Sequence, residues 1–347
     1  MLKIDGSHGE GGGQILRTTL SLATILQQPV ELLNIRGGRK KPGLRPQHLM
    51  AAKAMASITA GHVEGADLGS TRLCFEPRRI VPGDFSFHVG TAGSSSLVLQ
   101  TMIPALLFAG QPSRVAITGG THVPWSPCFH YLKEVFFPIL SQMGGRTEIE
   151  LERWGWYPKG GGKVVASIQP VAQLQAIDLT ERGGLRDLYL LSAVSNLTTR
   201  IGERQREEAL KQLRRGGCDV LRAEFVNGPS PGTGTVVFVR GTYENGIAGF
   251  TSLGKKGKSA EKVAQDACSD FLRFAASEAT IDKHLADQLL LYMALAKGRS
   301  SLRTEAITRH LETNMWLIEQ FLSIKFEVDK ELGTISVEGT DHKQARL

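Results

Sequence analysis

The sequence predicts an α/β (α+β) fold made of three repeated βαβα-type units, each a sheet with two helices, plus a small inserted α/β domain. Strand-like and helix-like segments occur twice in the same order, and a Gln-Pro pair precedes the inner strand of both copies, at Gln28-Pro29 and Gln111-Pro112. A third copy is split by about a hundred residues, far more than a loop inside such a unit needs. We therefore expect a three-repeat domain over 1–184 and 281–347, and an inserted domain over 185–280.

The first unit alternates short apolar strands with amphipathic helices. Its predicted elements are strand Leu2 to Ile4, helix Gln14 to Leu26, strand Val30 to Ile35, a helix from about Gln47 to Thr59, and strands near Val63 and Leu73. Between the first strand and helix, Gly9 to Arg17 forms a glycine-rich loop that could face an anion with backbone N–H groups and a helix N-terminus. Its spacing fits neither a Walker loop nor the Rossmann fingerprint, so a plain strand-to-helix turn is an equal alternative.

The second unit repeats this order. Its predicted elements are strand Phe85 to Val89, helix Ser94 to Phe108, strand Arg114 to Thr118, a helix from about Cys128 to Met143, and strands near Ile149 and Val164. The split third unit is predicted as strand Ala176 to Leu179, helices Leu285 to Ala296 and Asn314 to Leu322, and strands Lys325 to Val328 and Thr334 to Val337. The insert is expected to have its own core, built from Leu188, Leu190, Val220, Val236 and the apolar face of a helix Ala260 to Phe274.

The charge favours an anionic partner. A net charge of +7 and a pI near 9.3 suit a nucleotide or nucleic acid, although solubility alone would also explain them. The four cysteines are scattered without a CxxC pair, which predicts neither a disulfide framework nor a zinc site and fits a reducing cytoplasm. No apolar run is long enough to span a bilayer, and no secretory h-region opens the chain, so we expect no membrane partner.

Charged residues near the glycine loops are the candidates for chemistry. Glu10 could hold a divalent metal ion, and Arg17, one turn into the helix, could grip phosphate. The loop Asn34 to Gln47 could bind phosphate or could simply be solvated. Its cations are Arg36, Arg39, Lys40, Lys41 and Arg45. His310, expected just before the last helix, could attack phosphorus, although a lone histidine in a loop is more often incidental.

Several stretches, taken in order, resemble the RNA 3′-terminal phosphate cyclase family and together cover nearly the whole chain. They are Gly9 to Arg17, Arg36 to Gln47, Gly90 to Gln100, Tyr157 to Gly162, His284 to Gln288, and Arg309 to Asn314. The resemblance implies three repeats similar to the C-terminal domain of a translation initiation factor, with a small α/β domain inserted in the third. It also implies a ligase-type, AMP-forming enzyme that uses ATP and a divalent metal, magnesium or manganese. Its partner would be RNA with a 3′-phosphate end, converted to a 2′,3′-cyclic phosphate through a histidine-AMP and an RNA(3′)pp(5′)A intermediate.

The resemblance also assigns roles to residues. His310 matches the histidine that takes AMP, and Glu10 matches the metal-binding glutamate. The catalytic set implied is His310, Arg17, Arg36, Arg39 and Gln47. The ATP-binding set implied is Gln100, Pro127, His284, Leu285, Ala286, Asp287 and Gln288. This chain departs from the family at His284, where some members have tyrosine, and at Lys255, where members often have an acidic residue.

Three alternatives stay open. A non-catalytic cyclase-like scaffold for rRNA processing would resemble this fold but would lack the histidine. An enolpyruvyl transferase, also built from repeated βαβ-type units, would explain neither the basic loop with His310 nor the insert. A plain RNA-binding module would be expected to show an aromatic RNP pattern, which the sequence lacks. The physiological RNA, the preferred metal, the oligomeric state and any action on 5′ ends also stay open.

Overall fold

The computed structural model of the protein describes residues 1–341. Their strands form four four-stranded sheets, and helices pack against each sheet. Both parallel and antiparallel strand pairs occur within every sheet. The predicted α+β class is therefore confirmed.

The first unit places its two helices between strands, as the sequence pattern indicates. It consists of β1 (Leu2–Asp5), α1 (Gly13–Leu26), β2 (Val30–Leu33), α2 (Pro46–Thr59), β3 (His62–Glu64) and β4 (Leu73–Glu76). The strand order is β1-β2-β4-β3, with β1 parallel to β2 and the other pairs antiparallel. Pro46 lies in the first turn of α2, where its fixed φ and missing N–H cost the helix nothing.

The second unit has the same strand order and the same directions. It consists of β5 (Asp84–His88), α3 (Ser95–Leu107), β6 (Ser113–Gly119), α4 (Phe129–Tyr131), a π-helical turn (Leu132–Phe136), α5 (Phe137–Gln142), β7 (Thr147–Arg153) and β8 (Gly162–Ile168). Its sheet reads β5-β6-β8-β7, and only β5 and β6 run parallel. The helix expected from about Cys128 to Met143 is thus present, but a π-helical turn interrupts it.

The third unit begins with β9 (Asp178–Leu179), and the inserted segment follows. The insert consists of β10 (Leu185–Ser195), α6 (Thr199–Arg215), β11 (Arg222–Asn227), β12 (Gly234–Tyr243), β13 (Ile247–Leu253) and α7 (Ala260–Ala275). Its sheet has the order β11-β10-β12-β13. Helices α6 and α7 pack against each other and against this sheet.

The third unit then resumes on the far side of the insert. Its remaining elements are α8 (Lys283–Leu295), β14 (Lys297–Arg303), α9 (Arg309–Phe321), β15 (Phe326–Asp329) and β16 (Thr334–Thr340). The sheet order is β15-β16-β14-β9, and β14 runs parallel to β9. Strand β14 was not predicted from the sequence, because most of the strand's residues are polar and only Ser300 and Leu302 are buried. The start of α9 predicted at Asn314 is also too late. The helix begins at Arg309, and Thr308 caps it by accepting a hydrogen bond from the Leu311 N–H at 3.1 Å.

The insert contributes to two hydrophobic cores. One core is formed by residues of the insert alone, including those of its helices α6 and α7. Leu188, Leu190 and Val237 pack in this core. Val236 and Phe238 belong instead to the core that the repeated units share. The expectation that Val236 lies inside the insert's own core is wrong, because successive residues of a strand point to opposite faces of the sheet. The division at residues 185 and 280 stays a prediction.

Candidate active site

His310 lies in the first turn of α9 and faces a carboxylate on α8. Its Nδ1 is 3.0 Å from Oδ1 of Asp287, and the two side chains are 36% and 15% exposed. When Nδ1 carries the proton and donates it to the carboxylate, Nε2 keeps its lone pair. In that tautomer, the site presents an oriented imidazole nitrogen with an available lone pair.

Asp287 is itself held in place from two other helices. Gln14, on α1, donates from Nε2 to Asp287 Oδ1 at 2.7 Å. Asn314, on α9, donates from Nδ2 to the Asp287 carbonyl at 3.1 Å and receives a hydrogen bond from Thr18 at 3.0 Å. Neither Gln14 nor Thr18 was predicted from the sequence to belong to the site. Their spacing of four residues on the first helix, beside the glycine loop, is the signal that could have pointed to them.

The glycine loop is fixed against the helix that carries His310. The Glu10 N–H donates to Thr313 Oγ1 at 3.0 Å. Gly9 has a positive φ of 55°, and a Cβ there would clash with the Thr313 hydroxyl, so only glycine fits. The Glu10 carboxylate forms an ion pair with Arg39 through Oε1. The structure therefore brings the predicted metal ligand, a predicted arginine and the His310 helix together.

The guanidinium of Arg17 has no hydrogen-bonded partner among residues 1–341. Burial lowers the pKa of its guanidinium to about 10, and the nearby carboxylates of Asp287 and Glu10 oppose that shift. The side chain is still positively charged at pH 7. A desolvated cation of this kind is suited to bind an anion that enters the site.

Two of the predicted phosphate-binding residues use their polar groups to fix loops. The Arg36 Nη1 donates to the carbonyls of Lys41 and Gly43, each at 2.8 Å. Gln47 accepts the Ser94 N–H at 2.8 Å, which ties the first unit to the start of α3 in the second. These contacts position the basic loop and the second glycine loop, and direct roles of the two residues in catalysis stay predictions.

His48 is a buried residue that was not predicted from the sequence to belong to the site. Burial, reinforced first by Arg17 and then by Arg36, lowers the pKa of its imidazole to about 3. Its Nδ1 accepts the Arg45 N–H at 3.3 Å, and a Cβ at Gly13 would clash with its Nε2. The ring is therefore neutral at pH 7 and packs under the loop that carries the cations.

The predicted ATP-binding residues divide into those at the surface and those in the core. Gln100 donates to Gln288 Oε1 at 2.5 Å, which joins α3 to α8. Leu285 and Ala286 are fully buried, and their N–H groups bond to Asp282, so their assigned contact with ATP stays a prediction. His284 is exposed. The half-buried Pro127 lies on a loop of another unit, and its place beside an adenine stays a prediction.

No helix within residues 1–341 combines the length and apolar character needed to cross a membrane.

Comparisons with known proteins show which family the chain belongs to. The family model described as RNA 3′-terminal phosphate cyclase matches residues 8–328. A protein of that name from Pyrobaculum aerophilum is 44% identical over 99% of both chains. Another from Koribacter versatilis is 43% identical over 95% of this chain and 92% of the relative.

One solved structure shows only a slight likeness to this chain. The enolpyruvyl transferase NikO from Streptomyces tendae is 10% identical, with a TM-score of 0.40 over 98% of this chain and 48% of that chain. This supports no conclusion about fold or function. The family model and the full-length relatives, in contrast, agree along nearly the whole sequence, and the chain belongs to the RNA 3′-terminal phosphate cyclase family.

Proposed function

We propose that this protein uses ATP to convert a 3′-terminal phosphate of RNA into a 2′,3′-cyclic phosphate, with His310 as the covalent carrier of AMP. The observation that carries the proposal is the contact of His310 Nδ1 with the Asp287 carboxylate, which leaves Nε2 as the nucleophile. The relatives that bear the cyclase name support the overall reaction.

In the first step, Nε2 of neutral His310 attacks the α-phosphorus of ATP. An N–P bond forms, the bond to the bridging oxygen breaks, and pyrophosphate leaves with that electron pair. The ring becomes positively charged as the bond forms, and the Asp287 carboxylate at Nδ1 stabilises this charge. Arg17 and the basic loop supply positive charge toward the phosphates.

In the second step, an oxygen of the RNA 3′-phosphate attacks the phosphorus of the histidine-bound AMP. The N–P bond breaks, and its electron pair returns to Nε2. In the third step, the neighbouring 2′-OH attacks the activated 3′-phosphate, loses its proton and expels AMP. Because ring closure needs that hydroxyl, RNA is selected over DNA.

Glu10 is a fitting ligand for magnesium or manganese. Its Oε1 pairs with Arg39, and its side chain is partly exposed, so the second carboxylate oxygen would be available to hold such an ion. Such an ion, when bound, supplies charge neutralisation at the phosphates.

The test is incubation of the protein with ATP labelled at the α-phosphate and a divalent metal, followed by acid and alkali treatment of the protein. We expect acid-labile, alkali-stable label on the wild type and none on His310→Ala, with both proteins folded by circular dichroism. Addition of RNA with a 3′-phosphate should discharge the label and yield a cyclic end, whereas RNA with a 3′-OH or a terminal 2′-deoxy sugar should yield none. A wild type that takes no label would favour the non-catalytic scaffold.

A further inference from the structure

We infer a second site, for a zinc ion, formed by His122, Cys128 and His130 where the second unit meets the insert. One potential ligand atom from each of the three side chains lies within 4.8 Å of the other two. None of these residues belongs to the set assigned to ATP, RNA or the divalent metal. The sequence predicted no zinc site, because its cysteines form no CxxC pair, and two histidines supply most of this cluster.

The distances suit a tetrahedral ion after a small rearrangement. Zinc–nitrogen bonds of about 2.0 Å and a zinc–sulfur bond of about 2.3 Å place ligand nitrogens roughly 3.3 Å apart and nitrogen and sulfur roughly 3.6 Å apart. His122 Nε2 and His130 Nδ1 are already 3.0 Å apart. The imidazole pair therefore needs to widen by only a few tenths of an ångström. The sulfur, which lies no more than 4.8 Å away, needs to approach by about 1.2 Å at most.

The surroundings of the cluster resemble those that orient metal ligands. His122 Nδ1 lies 2.8 Å from Thr121 Oγ1, which can accept its N–H and so leave Nε2 for the ion. Trp154 stacks on the His122 ring at 4.3 Å and Trp156 lies at 5.0 Å, so the cluster has an apolar wall.

The donor set selects zinc over the ion proposed at Glu10. Two imidazoles and one thiolate are ligands that zinc favours, whereas magnesium prefers oxygen. Binding converts the Cys128 thiol to a thiolate and releases one proton. The fourth position would be filled by water or by the Thr251 hydroxyl, which lies 3.5 Å from the Cys128 sulfur. Thr251 is on β13, so the ion would fasten the insert to the loop that holds Pro127.

The experiment uses the full-length protein, stripped with a chelator and titrated with zinc chloride in excess magnesium against a chromophoric chelator. We expect about one zinc per chain for the wild type. The affinity should fall roughly 100-fold or more in Cys128→Ser and in His130→Gln, since a ligand is lost rather than a neighbour of one. Cys218→Ser is the matched control, because this cysteine lies in the insert outside the cluster, and it should bind zinc like the wild type.

A second measurement keeps the inference testable if a ligand variant fails to fold. Cobalt added to the stripped wild type should give a thiolate-to-cobalt charge-transfer band, and Cys218→Ser should keep it. Wild-type protein that binds no zinc and shows no such band would overturn the inference. Equal zinc binding by folded Cys128→Ser and wild type would overturn it too.

Discussion

The Nδ1 atom of His310 lies 3.0 Å from Oδ1 of Asp287, so one imidazole nitrogen contacts a carboxylate, whereas the other has no hydrogen-bond partner within residues 1–341. The same carboxylate oxygen accepts a hydrogen bond from Gln14 on a third helix. Three helices from two units thus fix the orientation of the His310 ring.

Asp287→Asn should slow self-adenylylation with little change in the affinity for ATP. The amide oxygen can still accept from Gln14 and from Nδ1, but a neutral amide holds the ring less firmly and cannot stabilise the positive charge that the ring gains. We expect a loss of roughly 10²-fold or more in the rate of label transfer from α-labelled ATP. Asp178→Asn, an exposed residue of β9, is the control. A wild-type rate in folded Asp287→Asn would contradict an orienting role.

Glu10→Ala should raise the metal concentration needed for half-maximal adenylylation. Removal of the carboxylate takes away the proposed metal ligand and also frees Arg39 from its ion pair. Arg39→Ala should instead weaken the use of ATP or RNA while the metal dependence stays unchanged. Rates measured across magnesium and manganese titrations separate the two effects, and identical curves for Glu10→Ala and wild type would exclude Glu10 as a ligand.

Gln47→Leu should lower the free energy of unfolding by about 1–3 kcal/mol, because the Ser94 N–H at the start of α3 loses its acceptor. Gln47→Glu keeps an acceptor oxygen and should recover much of that loss. Urea unfolding gives the stability, and steady-state kinetics give the KM for ATP and RNA. A large kinetic defect with unchanged stability would show that Gln47 acts directly on the substrate.

The protein should lose stability as the pH falls from about 6.5 toward about 3. The His48 imidazole has a native pKa of about 3 against an ordinary value of 6.5. Between these pH values the unfolded chain therefore binds a proton at His48 that the native state does not bind. The contribution is complete above pH 6.5 and declines by about 1.4 kcal/mol per pH unit below it. Urea unfolding at pH 7 and pH 5 measures the slope, and a folded His48→Gln should show a shallower one. Parallel slopes would argue against a neutral, buried His48.

Cations on α6 should serve RNA rather than ATP. Arg204 is paired with Glu261, but Arg200, Arg214 and Arg215 are exposed and have no ion-pair partner within residues 1–341. Reversing these three charges to glutamate should weaken RNA cyclisation and flatten its salt dependence, while self-adenylylation stays intact. Arg204→Glu tests a position already neutralised by its neighbour. Equal loss of both activities would mean that the surface acts through the fold.

Local patterns were enough to predict much of the architecture. Alternating strands and helices and the two Gln-Pro pairs indicated the units, because side-chain periodicity directly reflects which face is buried. The polar strand β14 was missed, since its place in the sheet depends on its neighbours β9 and β16 and not on its own hydrophobicity.

The site was harder to predict, because its contacts join residues far apart in sequence. His310, Glu10 and Asp287 were named through motifs, but the hydrogen bond from Gln14 to Asp287 spans 273 positions and has no local signature. The same holds for Gln47 and Ser94, where a residue expected at the phosphates proves to hold a loop. Residue type can indicate what a side chain is able to do, whereas only the packed fold shows which partner occupies it.

The split of the third unit sets an order for synthesis on the ribosome. The Ile177 N–H donates to the hydroxyl of Ser300, 123 positions later, so β9 emerges long before the strand it pairs with. At 5–20 residues per second, translation of that interval takes roughly 6–25 s, during which the first two units and the insert can complete their sheets. His310 and Asp287 lie on helices made near or after the end of this wait. The contact between His310 and Asp287 can therefore form only when almost the entire chain has been made.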